Sequence, residues 1–143
     1  MQNIIALASD HGGVELKSIL KKILEGQGMT VLDLGTNDTN SVDYPDFGAA
    51  MARAILDGKA ARGVVICGTG IGISIAVNRH PGVRAALCHD ATTARLSREH
   101  NDANVLALGA RVIGEEVAKE CLSVFLNTPF AGGRHAPRVA KLG

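Results

Sequence analysis

Gly63-Val64-Val65-Ile66-Cys67-Gly68-Thr69-Gly70-Ile71-Gly72-Ile73-Ser74 is the stretch on which the fold turns. Val64 to Cys67 are four apolar residues in a row, the pattern of a strand covered on both faces, as in a parallel sheet. The run then breaks at Gly68, Gly70 and Gly72 and resumes as a short helix to about Asn78. A buried strand that passes through glycine straight into a helix is half of a βα unit, and the same alternation recurs on either side of it. Upstream, residues 4–8 form a strand, and Leu16, Ile19, Leu20, Ile23 and Leu24 follow with helical spacing until Gly26 and Gly28 close the segment. Residues 30–34 form the next strand. A polar stretch, 35–42, separates it from Phe47, Ala50, Met51, Ala54 and Ile55 on one helical face. Downstream, residues 83–88 read as strand, 91–99 as helix and 105–108 as a short strand. Val117, Cys121, Val124 and Phe125 share one face of a last long helix, and residues 128–143 are polar and basic. The expectation is one α/β domain spanning 1–143: a three-layer, Rossmann-like arrangement with a five-stranded parallel sheet and helices on both faces. In such a sheet the ligand crevice opens at the carboxyl ends of the strands.

Composition agrees and excludes several functions. The chain has 143 residues, 46% hydrophobic and 20% charged, the profile of one globular domain. Fifteen basic against fourteen acidic side chains leave a net charge of +1, so no global field selects nucleic acid or an anionic membrane. No apolar run approaches the roughly 20 residues that a membrane-spanning helix needs. Met1-Gln2-Asn3 leads into the first strand without a basic segment or cleavage site, so the expectation is a cytoplasmic, unsecreted protein. Cys67, Cys88 and Cys121 are odd in number and widely spaced, with no metal-ligand cluster, and read as free thiols. Trp is absent and only four residues are Phe or Tyr, so Ile, Leu, Val and Ala must build the core.

Reactive side chains gather just after the strands. Ser9-Asp10-His11-Gly12-Gly13 follows the first; Asp10 also reads as a helix cap and His11 as a solvated loop residue. The amides around Gly68, Gly70, Ile71, Gly72 and Ser74 open a helix, where donors and dipole favour an anion or a developing oxyanion. The spacing fits neither the dinucleotide fingerprint, which would need glycine at position 73, nor a Walker A loop. Cys67 ends its strand beside those amides, an environment that favours a thiolate, although an arbitrary cysteine is more often a small buried hydrophobe. His100 and Asn101 sit in a polar cluster that equally suits a turn. Arg134 and Arg138 are four residues apart, able to grip one phosphate from one side of a helical turn, and Arg111 is a third cation. Together these groups suit a small phosphorylated sugar that passes through an enediolate: a thiolate moves the proton, main-chain donors hold the oxyanion, and a histidine opens the ring. Acyl transfer at Cys67 would use similar parts; a sugar-phosphate or nucleotide sensor without catalysis would use the same glycine turn but leaves Cys67, His100 and the arginines unexplained together.

Five blocks taken in order carry a resemblance: Ser9 to Gly13, Asp43-Tyr44-Pro45-Asp46, Ile66 to Ser74, Arg95 to Arg111, and Gly132-Gly133-Arg134-His135. They resemble the type B ribose-5-phosphate isomerases, a family that also takes in galactose-6-phosphate isomerase subunits and allose-6-phosphate isomerases. The resemblance implies that Cys67 carries the proton between C1 and C2 with Thr69 assisting, and that His100 opens the ring. It implies sugar contacts from Asp10, Tyr44 and Asn101, and phosphate contacts from His11, Arg111, Arg134 and Arg138. One branch carries, instead of the cysteine, a Glu a few positions later; Cys67 and Ser74 put this chain in the other. It further implies a phosphosugar substrate, no cofactor or metal, and a homodimer or tetramer with shared active sites, residues 128–143 reaching the partner subunit.

Overall fold

The computed structural model describes residues 3–143. Five strands form one parallel sheet: β1 (Ile4–Ser9), β2 (Thr30–Asp33), β3 (Arg62–Cys67), β4 (Ala85–Leu87) and β5 (Val105–Gly109). Between and after them run α1 (Val14–Gly26), α2 (Tyr44–Leu56), α3 (Ile71–Asn78), α4 (Ala91–Glu99), α5 (Glu115–Asn127) and α6 (Ala136–Ala140). The spatial order is β2-β1-β3-β5-β4, so the chain reverses its direction of winding at β1 and β3. Their carboxyl ends, Ser9-Asp10 and Cys67-Gly68, flank that reversal, the place where open α/β sheets bind ligands.

Strand alternation sorts the core into two layers. Ile5, Leu7, Val64, Ile66, Leu106 and Leu108 face α1, α4 and α5, whose Leu20, Leu24, Ala94 and Phe125 are fully buried. Ala6, Ala8, Val65, Cys67, Val105 and Ala107 face α2 and α3. This second face is built of smaller side chains, which lets both helices lie close to the sheet. Helix α2 also lies close to α3, where a Cβ on Gly48 would sit 2.6 Å from that of Ala76. Cys67 therefore points toward α3, the helix its own glycine turn begins.

Two expectations needed adjustment. β4 spans three residues rather than 83–88, because Val83 closes a turn onto His80 and Asn104 takes the Arg84 N–H. Residues 128–143 are not a bare tail: a single 3₁₀ turn (Gly133–His135) leads into α6.

One buried ion pair ties α1 to the end of β2. Lys17 Nζ donates to Asp33 Oδ1 at 2.8 Å, and its side chain is 3% exposed. Burial works to raise the Asp33 pKa, but hydrogen bonds from Lys17 and the Gly35 N–H and the charges of Lys17 and Lys21 outweigh it, holding the carboxyl below its ordinary range. A depressed carboxylate contributes stability above its unfolded pKa and loses it as pH falls through the folded value. Asp33→Asn, which leaves the Lys17 ammonium without its counter-charge, should cost about 3 kcal/mol near neutral pH. The gap to the parent should narrow below about pH 4. Urea unfolding at both pH values measures it; an equal gap in acid would remove the ion pair as its source.

Candidate active site

The sequence after β3 folds into a loop that wraps its own cysteine. The Gly70 N–H donates to Cys67 Sγ at 3.1 Å, a contact that strengthens when sulfur carries charge. Gly70 reaches that position with φ +78°, and a Cβ there would lie 2.8 Å from the Leu108 carbonyl carbon, so only glycine fits. The Ile71 N–H is held by Thr69 Oγ1 at 3.1 Å, which places the Thr69 side chain at the head of α3. The amides of Gly72 and Ile73 complete the first turn, where a helix has no internal acceptors. Ser74 is buried, its hydroxyl donating to the Ile71 carbonyl at 2.7 Å within the helix. Cys67 itself is 5% exposed.

Side chains from three other elements close on this loop. Asp10 Oδ1 accepts the Gly12 N–H at 2.9 Å, so Asp10 does cap the turn after β1. That turn presses Gly12 against Gly68, a Cβ on Gly12 lying 3.5 Å from Gly68 N. The Arg111 N–H donates to the Gly68 carbonyl at 2.9 Å, and the Arg111 side chain runs alongside the same glycine. The Tyr44 ring covers Gly72 so closely that a Cβ there would meet it at 2.6 Å. His11 Nδ1 accepts the Val42 N–H at 3.1 Å, which puts the proton of the neutral ring on Nε2. One end of the sheet thus gathers Asp10, His11, Tyr44, Cys67, Gly68, Thr69, Gly70, Ile71, Gly72, Ser74 and Arg111.

The remaining candidates lie at the other end. Asn104 accepts the Gly63 N–H and, through its side chain, the Arg84 N–H, while Arg84 Nε donates to the Asp102 carbonyl. These bonds pin residues 102–104 to the amino ends of β3 and β4. His100 and Asn101, just before them, line a cleft of about 390 Å³ with Arg134, His135 and Arg138. Asn101 also borders a neighbouring cleft of about 420 Å³ lined by Arg79, His80 and Arg84. From Gly63 to Cys67 is roughly 13 Å along the strand, so within one chain His100 and Cys67 do not meet. The return path of α4 separates them, which leaves the sharing of sites between subunits that the resemblance implies as the way to bring them together.

His135 closes the Gly132-Gly133-Arg134-His135 block, and spacing alone assigns it no role. Its ring stacks on His100, centroids 4.3 Å apart and planes 17° apart. Loss of water contacts, then the nearby His100, Arg134 and Arg138, hold its imidazole below the ordinary histidine range. Among the described residues no group of His, Cys, Asp or Glu could hold a metal ion, and no helix is long and apolar enough to cross a membrane.

A model of the ribose/galactose isomerase family matches residues 5–142. The chain belongs to that family. It is an enzyme of the aldose–ketose isomerase class, and the match covers both ends of the sheet described above. The structure resembles ribose-5-phosphate isomerase B of Clostridium thermocellum with a TM-score of 0.97 and 53% identity, covering 98% of this chain and 95% of that one. Ribose-5-phosphate isomerase B of Escherichia coli is 44% identical over 94% of this chain and 91% of its own length. D-erythrulose-4-phosphate isomerase of Pectobacterium atrosepticum is 45% identical over 97% of this chain and 92% of its own.

Proposed function

We propose that the enzyme interconverts ribose 5-phosphate and ribulose 5-phosphate through a cis-enediolate, in a site completed by two copies of the chain. The observation that carries this reading is the Gly70 N–H on Cys67 Sγ, which sets a sulfur base beside main-chain donors at the point where the sheet reverses its winding. The thiolate takes the C2 proton of the open-chain aldose; the electron pair forms the C1–C2 double bond and charge moves onto O1. The amides heading α3 hold that charge, the Thr69 hydroxyl passes the hydroxyl proton from O2 to O1, and the sulfur returns its proton to C1. Asp10 and Tyr44 orient the sugar hydroxyls, with Asn101 from the second copy.

Helix α3 is the surface on which a second copy would pack. Its eight residues span about 12 Å, with Ile71 at the Cys67 end and Asn78 hydrogen-bonded to both polar groups of Ala85 at the other. Ile71 and Ile75 are 52% and 56% exposed, an apolar stripe on the outer face of the helix. Two such stripes packed antiparallel about a two-fold axis bring the Cys67 end of one chain over the His100 end of the other. His100 then opens the furanose ring, while Arg134 and Arg138 of the partner join His11 and Arg111 at the phosphate. Two clefts of the single chain, of about 420 and 390 Å³, open at the His100 end, as half of a shared site would.

Turnover in deuterated water should place deuterium on C1 of the ketose or C2 of the aldose, read by proton NMR. Product formed with neither carbon labelled would sink the enediolate. A second reading, a preference for a four- or six-carbon phosphate, is favoured by the similarity to the erythrulose-4-phosphate enzyme and by the galactose isomerases in the matching family's name. Rates on ribose 5-phosphate against erythrose 4-phosphate, allose 6-phosphate and galactose 6-phosphate separate the two.

A further inference from the structure

Lys17 lies where α1 should be apolar. It falls on the helical row of Leu20 and Leu24, and the residue is 2% exposed. A lysine this deep must spend its donors well. Besides Asp33, its ammonium donates to Asn37 Oδ1 at 2.8 Å. Asn37 belongs to the segment linking β2 to α2, whose first part is pinned across the end of β1 by the pairs Ser9 N–H to Gly35 O and Thr36 N–H to Ser9 O, both 2.8 Å. Beyond Asn37 the chain turns, the Asn40 N–H bonding Asp38 Oδ1, and five residues after Asn37 the Val42 N–H arrives on His11 Nδ1. The next residues start α2 and carry Tyr44.

We propose that Lys17 and Asn37 are positioning residues for His11. The buried ammonium fixes Asn37, the 38–42 segment spans from that anchor to the ring, and the Val42 N–H then holds His11 in the tautomer whose Nε2 carries the proton. A neutral imidazole so held presents a donor, not a lone pair, to an anionic group. The consequence for turnover rests on the reading of His11 as a phosphate contact; the consequence for the ring does not.

Asn37 is exposed, so its replacement tests the idea without unsettling the core. In protein carrying ¹⁵N-histidine, at about pH 8, where an ordinary imidazole is neutral, the parent should show His11 as a single Nε2–H tautomer. Asn37→Ala should show mixed tautomers and a KM for ribose 5-phosphate raised about tenfold, with kcat within about twofold. Asn37→Asp, which keeps an acceptor for the ammonium, should restore both. A His11 spectrum identical in Asn37→Ala and the parent overturns the proposal. Mixed tautomers with an unchanged KM support the positioning, and it is then the assignment of His11 to the phosphate that falls.

Discussion

Cys67→Ala should yield a folded protein whose turnover of ribose 5-phosphate is lower by about 10⁴-fold, the upper range for loss of a positioned base. Folding should survive because the change removes one atom from a strand end. The Gly70 N–H loses its acceptor, a cost of about 1 to 3 kcal/mol when buried. Cys67→Ser separates geometry from chemistry: a hydroxyl accepts the same N–H and keeps the loop, yet does not ionise near neutral pH. Both variants should therefore be inactive, and Cys67→Ser should be the more stable. Circular dichroism and urea unfolding establish the fold, and a coupled assay for ribulose 5-phosphate measures the rate. Parent-level turnover in either variant would remove the sulfur from the role of base.

The other two thiols provide an internal control. Burial, followed by the charges of Cys88, Asp90 and Glu120, pushes the Cys121 thiol up to about 11, and burial likewise raises Cys88. Both face the α1, α4 and α5 side of the sheet, away from the glycine turn. A thiol-directed reagent at neutral pH that inactivates the parent should leave Cys67→Ser unlabelled.

The sequence made the sheet legible because β1, β3 and β5 are covered on both faces and so read as unbroken apolar runs. The edges were harder. β4 pairs on one side only, and its amino end is claimed by side chains of residues 78 and 104, contacts that no local pattern encodes. The glycine turn was legible down to the amide that meets the sulfur, since Gly70 and Gly72 stand where any Cβ would collide. The order β2-β1-β3-β5-β4 was not, because which strand lies beside which is decided by packing among distant residues. That gap is why the distance between His100 and Cys67 could not be read from spacing. Lys17 was missed although its signal was present, a cation in register with Leu20 and Leu24 on a buried face. His135 follows Arg134 directly, but a ring stack between residues 35 apart leaves no mark on spacing.

The separation of His100 from Cys67 leads to the sharpest expected outcome. Cys67→Ala and His100→Ala should each be nearly inactive on ribose 5-phosphate, yet a mixture refolded together should recover about one quarter of the parent activity. Random pairing makes half of the dimers mixed. In each mixed dimer one site takes its sulfur from the His100→Ala chain and its imidazole from the Cys67→Ala chain, and so is native; the other site lacks both. If sulfur and imidazole served the same site from one chain, every site in the mixture would lack one group and activity would stay at the level of the single variants. Substrate choice then fixes what His100 does. Ribose 5-phosphate closes to a furanose through O4, whereas ribulose 5-phosphate, with O5 esterified, cannot form the corresponding ring. His100→Ala should therefore lose about 10²-fold or more in kcat on ribose 5-phosphate while staying within about threefold on ribulose 5-phosphate. Equal losses in both directions would reassign His100 from ring opening to binding, and no recovery on mixing would return the whole site to a single chain.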